Sequence, residues 1–88
     1  MKKRDKLTEE LAEYAHLAWS GWMRHLFGKS VTNADGSITI PAEYVANLLK
    51  LMDMPYNEMP GKSKESDRVE ARRMLRIVAK FLLPKANG

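Results

Sequence analysis

Cysteine is absent from this sequence. That excludes disulfides, thiolate nucleophiles and cysteine-ligated zinc, and it makes the reducing cytoplasm the expected compartment. No apolar run exceeds a few residues, so no transmembrane helix is expected. The opening Met1-Lys2-Lys3-Arg4-Asp5-Lys6 is basic but leads into no apolar stretch, which argues against a secretory signal. Glycine (5) and proline (4) are sparse among the 88 residues. With 44% apolar and 30% charged residues, the composition is that of one folded domain and not of a disordered chain.

A chain this short hides about 60% of its unfolded surface on folding, so its stability is expected to be marginal. With no covalent staple, self-association is the expected stabiliser. Lys and Arg number 15 against 11 Asp and Glu, a net charge of +4. The excess favours an anionic partner through the general field, without choosing its class. Much of it lies in residues 1–6, read as a basic flexible arm ahead of a single domain over 7–84 and a tail over 85–88.

Apolar spacing predicts three helices. Thr8 is a good N-cap, followed by Glu9 and Glu10 in a first turn. Leu11, Ala15, Ala18, Trp22 and Leu26 then recur at helical spacing, and Gly28 is a natural stop, giving helix 1 over about 8–27. Asn33-Ala34-Asp35-Gly36-Ser37 is rich in turn formers, and Ile38-Thr39-Ile40 is the single short extended segment expected. Pro41 suits a helix start, and Tyr44, Val45, Leu48, Leu49 and Met52 mark helix 2 up to the break at Asp53-Met54-Pro55. A connector pinned by Pro55 and Pro60 leads to helix 3, from near Ser63 to about Leu83. Its apolar positions run Ala71, Met74, Leu75, Val78, Phe81 and Leu82, and Pro84 ends it. The fold class is all-α: a small three-helix domain with long connectors and at most one very short extended segment.

Catalysis finds little support. The serines have no recognisable His–acid companions. His16 and His25 are nine apart on one helix, so they point about 180° apart and cannot share a metal. The turn imitates a calcium loop, with Gly36 at the glycine position and Asn33 and Asp35 as oxygen donors. The first and last ligand positions then hold Val31 and Ala42, which excludes the site. No metal, cofactor or enzymatic activity is expected. Arg68, Arg72 and Arg76 form a basic stripe of the kind seen in DNA-binding helices. Glu65, Asp67 and Glu70 interrupt it, and the connectors are too long for a helix-turn-helix, so nucleic acid is disfavoured as partner. Trp19 and Trp22 are three apart. Trp22 continues the apolar stripe, while Trp19 lies off it: either both rings belong to the core, or Trp19 walls a groove and stacks on a flat ligand, with cations from Arg24 or the last helix meeting phosphate.

Residues 11–19, Leu-Ala-Glu-Tyr-Ala-His-Leu-Ala-Trp, carry a His-x-x-Trp pattern. Later come Pro55-Tyr56-Asn57-Glu58-Met59-Pro60, then Lys64-Glu65-Ser66-Asp67-Arg68 and Ala71. In this order the two motifs resemble the opening helix and closing motif of the ryanodine-receptor repeat (RyR) domain, over roughly half of the chain. Gly61 and Lys62 stand where that family has acidic residues, and the segment between the motifs follows its own course. The compact form is similar to single-repeat members carried by bacteria and their phages. The resemblance implies a non-catalytic binding module that pairs with a second copy as a homodimer. It also implies a nucleotide or nucleotide-derived signal as ligand. Trp19 is then the stacking residue, with His16, Arg24, Tyr56 and Arg68 around it. In a phage, such a protein would sequester a defence messenger in the host cytoplasm. A DNA-binding regulator and a protein-binding inhibitor of a host factor are the alternatives, the latter requiring an uncovered apolar patch.

Overall fold

The computed structural model describes residues 2–82; the tail expected over 85–88 and the stop at Pro84 lie outside them. Three helices and one two-residue-a-strand hairpin make up the fold: α1 Lys3–Gly28, β1 Val31–Thr32, β2 Ile38–Thr39, α2 Ala42–Met52 and α3 Gly61–Leu82. A single 3-10 turn, Tyr56–Glu58, sits in the connector before α3. The all-α reading holds, with three helices and only this minimal hairpin.

Helix α1 starts five residues before its expected N-terminus. Thr8 caps nothing: its hydroxyl donates to the Arg4 carbonyl within the helix. The Lys2 carbonyl takes the first amides, from Asp5 and Lys6, at 3.0 Å each. Residues 3–6, expected in a flexible arm, are therefore helical. The physical reason lies across the fold. Leu7, Lys3 and Arg4 line a recess with Phe81 and Leu82, so the end of α3 gives the first turn something to pack on. At the other end Gly28 is the last helical residue and does not adopt the left-handed conformation; the Lys29 amide closes the helix on the His25 and Leu26 carbonyls.

The hairpin pairs Val31 with Thr39 and Thr32 with Ile38, antiparallel. One strand was expected here and two are present, because a short extended segment needs a mate. Its turn is where glycine is required: Gly36 has φ of 89°. Asn33 binds both hydroxyls opposite it, Ser37 and Thr39, at 3.0 Å, and Asp35 accepts from the Ser37 amide and hydroxyl. These bonds hold the Asp35 carboxyl below its ordinary range. The oxygens that imitate a calcium loop are thus spent on the turn itself.

Helices α1 and α3 run antiparallel. Two polar contacts join them: Tyr14 donates to Glu70 at 2.6 Å, and Lys80 reaches Glu10 at 2.7 Å; within α3, Arg73 pairs with the same Glu70 at 2.9 Å. Partial desolvation between the helices, then the neighbouring Glu70 carboxylate, push the Tyr14 hydroxyl above its usual range, while Arg73 opposes them. Helix α2 meets this pair at one end. The Tyr44 ring lies edge-on to His25 with centroids 6.3 Å apart. Among the described residues no side-chain hydrogen bond or salt bridge ties α2 to another element.

No described residue is buried. The radius of gyration is 18.0 Å, against about 12 Å for a compact chain of this length. The apolar residues that the spacing assigns to a core lie along faces that stay open within one copy.

Candidate functional site

An open groove runs where α2 crosses the C-terminal end of α1 and the start of α3. Its centre is a cleft of about 570 Å³ walled by Trp22, Met23, His25, Leu26, Tyr44 and Leu48, with Ser66 at its edge. Two clefts continue it. One passes over His25 and Tyr44 to Lys29, Glu43 and Asn47. The other passes over Trp22 and Leu48 to Met52, Met59, Ser63 and Asp67. The sequence explains the walls. Trp22, His25 and Leu26 fall on adjoining faces of α1 at three- and four-residue spacing, and Tyr44, Leu48 and Leu51 do the same on α2. Two pinned turns bring the helices together: the Gly36 hairpin before α2 and the Pro55–Pro60 connector after it. The groove is aromatic and aliphatic at its centre and charged at its rims.

None of the residues expected at a site lines this groove. Trp19 is 53% exposed and packs flat against His16, centroids 6.0 Å apart and planes 24° from parallel. This pair forms an open aromatic ledge on α1, one turn N-terminal to Trp22. Arg24 is exposed on the same helix. Tyr56 sits in the connector, half exposed, with the Lys64 ammonium 5.8 Å above its ring. Lys64 also donates to the Asn57 carbonyl at 3.0 Å, which fixes the connector onto α3. Arg68 pairs with Glu65 of its own helix at 3.6 Å, and not with a carboxylate from another element.

Two of the three arginines of the basic stripe, Arg68 and Arg72, are engaged. Glu65 takes both Arg68 and Arg72, and Arg72 is the main cause that holds its carboxyl below the ordinary range. Arg73 is held by Glu70. Among the described residues no three His, Asp or Glu side chains gather as a metal would need. No described helix is long and apolar enough to cross a membrane.

The residue that the sequence reading assigned wholly to the core, Trp22, is the one at the centre of the groove. It is 54% exposed and shared by two clefts. His25 and Tyr44 were missed as site residues. The signal for His25 was its place three after Trp22 on the same helix. Nothing in the sequence announced where α2 would cross.

No family model, curated protein or solved structure matches this chain.

Proposed function

We propose that the chain is a non-catalytic binding module whose apolar faces are closed by protein. The observation that supports this reading is that no described residue is buried, although the helices carry a full set of apolar stripes. Trp19, Trp22, Leu49, Leu75 and Leu82 are all more than half exposed. A monomer rarely leaves so many large apolar side chains uncovered, and exposed apolar patches mark interaction sites. The engaged arginines of α3 set nucleic acid behind protein as partner, since phosphates would have to displace Glu65 and Glu70. The site of action in this reading is the cytoplasm, and a phage origin would make it the host's.

The reading is tested by helicity and a hydrophobic dye as the chain is diluted. A module closed by protein loses helix and gains dye fluorescence as its concentration falls. Cooperative unfolding at a midpoint independent of concentration, with no dye binding, would defeat it.

A second reading follows from the rings of the groove. In the RyR-like picture a nucleotide base stacks in this module, and Trp22, His25 and Tyr44 offer that wall more directly than Trp19 does. Lys29, on the continuing cleft, would meet a phosphate. Calorimetry with adenine nucleotides and cyclic ADP-ribose-type compounds tests it. Heat that disappears in Trp22→Ala supports the groove; heat lost only in Trp19→Ala moves the ligand to the His16–Trp19 ledge. No heat with any of them sinks this reading.

A further inference from the structure

We infer that the partner closing the long face of α1 is a second copy of this chain, laid antiparallel so that the tryptophans of one copy fill the space left by the alanines of the other. This rests on the binding-module reading and adds the occupant and its register.

Thr8, Ala12, Ala15, Trp19, Trp22 and Leu26 follow one another at intervals of four, three, four, three and four. This is the seam spacing of a helix that packs lengthwise on another helix. The seam is not the side of α1 that meets α3, which is marked by Leu7, Tyr14 and Glu10. It is sorted by size: small residues in the first half, two indoles in the second. Laid parallel on itself, it would set indole against indole and leave voids between alanines. Laid antiparallel about a twofold near residue 17, it sets Ala12 against Trp22, Ala15 against Trp19 and Thr8 against Leu26. Each layer then pairs a small or short side chain with a large one, which is how close packing is reached across a helix interface.

Three further observations agree. First, α3 carries its own stripe, Ala71, Leu75, Val78 and Leu82, in which Leu75 and Leu82 are 65% and 70% exposed. Asp67, one turn before Ala71, shares a cleft with Trp22, so both stripes lie on one side of the hairpin of helices. Two copies placed face to face therefore make a layer of four helices.

Second, the area fits. The chain exposes 7479 Å², whereas a compact chain of its size exposes about 5,300 Å². The excess, roughly 2,000 Å² per copy, is what an obligate dimer buries.

Third, the charges fit. Lys3, Arg4 and Lys6 lie in the first turn of α1, at the positive end of their own helix dipole, with only Asp5 to offset them. The antiparallel register brings this turn beside the carbonyl end of the other copy's α1, whose dipole favours it; Lys29 and Glu43, which line one cleft at that end, offset each other.

Because the chain lacks cysteine, the register can be read by cross-linking. Thr8→Cys and Leu26→Cys chains are prepared separately, mixed through a denature–renature cycle and oxidised. Positions 8 and 26 lie about 27 Å apart along one helix, so neither variant alone can link in this register. The expected result is a covalent dimer in the mixture and none from either variant alone. A link from Thr8→Cys alone indicates a parallel pair and overturns the register.

A size swap supplies the second measurement. Trp19→Ala and Ala15→Trp are each expected to weaken dimerisation by at least about tenfold in sedimentation equilibrium. Together in one chain they restore it to within about threefold, because each layer again holds one large and one small residue. A double variant as weak as the singles overturns the inference. Either failure in a chain that still self-associates leaves the binding-module reading standing. A chain that stays monomeric at about 100 µM, well above the range of an obligate dimer, removes the second copy as occupant. The dye measurement then decides whether the broader reading survives.

Discussion

Between α1 and α3 the contact is closed by a phenol and charges: Tyr14 with Glu70 and Arg73, and Lys80 with Glu10. Between α2 and the rest, rings and aliphatic side chains meet across an open cleft, with His25 and Tyr44 edge to face. Both pairings leave every side chain at least partly wet. Yet one has directional bonds that define a register, and the other has only shape and area. Hydrogen bonds with fixed partners specify geometry even where they add little stability. An apolar contact specifies geometry only when it is tightly packed. The helix pair is thus defined within one copy, and the position of α2 is the adjustable part of the molecule. An isolated helix of 11 residues is also too short to persist by itself in water.

The contrast can be broken most strongly at Trp22, the one side chain shared by two of the clefts beside α2. Trp22→Ala should cost about 2 kcal/mol by lost apolar burial, since the ring is only half covered. In hydrogen exchange the amides of α2 should lose more protection than the middle of α1 and α3, where only the seam with the second copy is weakened; equal loss in all three helices would contradict the comparison. Leu48→Ala, on the opposite wall, should act in the same direction with about 1 kcal/mol. Gly36→Ala should cost about 1 kcal/mol through its positive φ, loosening the hairpin that leads into α2 without touching the α1–α3 register.

Tyr14→Phe sharpens the comparison from the other side. It removes the bond to Glu70, so exchange should rise at the α1–α3 contact and stay unchanged in α2, with a smaller shift in thermal midpoint than Trp22→Ala gives.

The smallest expected effect is one of pH. Glu65 has its carboxyl lowered by Arg72 and then Arg68, so its folded form holds protons less readily than the unfolded chain. Its contribution is complete above the ordinary carboxylate range and falls away as acid protonates it below that range. Exposure screens the pair, so acid should fray the start of α3 slightly and Glu65→Gln should abolish that response. The amide signals of residues 63–68 report it directly.

The three helices were legible because apolar spacing marks each of them, and because the start signal at Pro41 and the break before Pro55 bound α2. The start of α1 was not, because Lys3 to Lys6 carry no apolar period; only Leu7 resting on Phe81 and Leu82 reveals why they coil. The partner strand Val31–Thr32 escaped notice because two residues are too few to show alternation. In the groove, the spacing placed Trp22 and Trp19 on neighbouring faces but could not say which would be met by α2. That depends on where the Gly36 turn and the Pro55–Pro60 connector aim a separate helix, and periodicity within α1 holds no record of it.

With 26 residues, α1 is about 39 Å long, while a globule made from all 88 residues would be about 31 Å across. The rod outspans the ball that its own chain could form. Such a chain behaves as a strut: forces and contacts applied at one tip are carried to the other along a continuous ladder of backbone bonds, and whatever grips its flank holds a member stiffer than the remainder of the molecule.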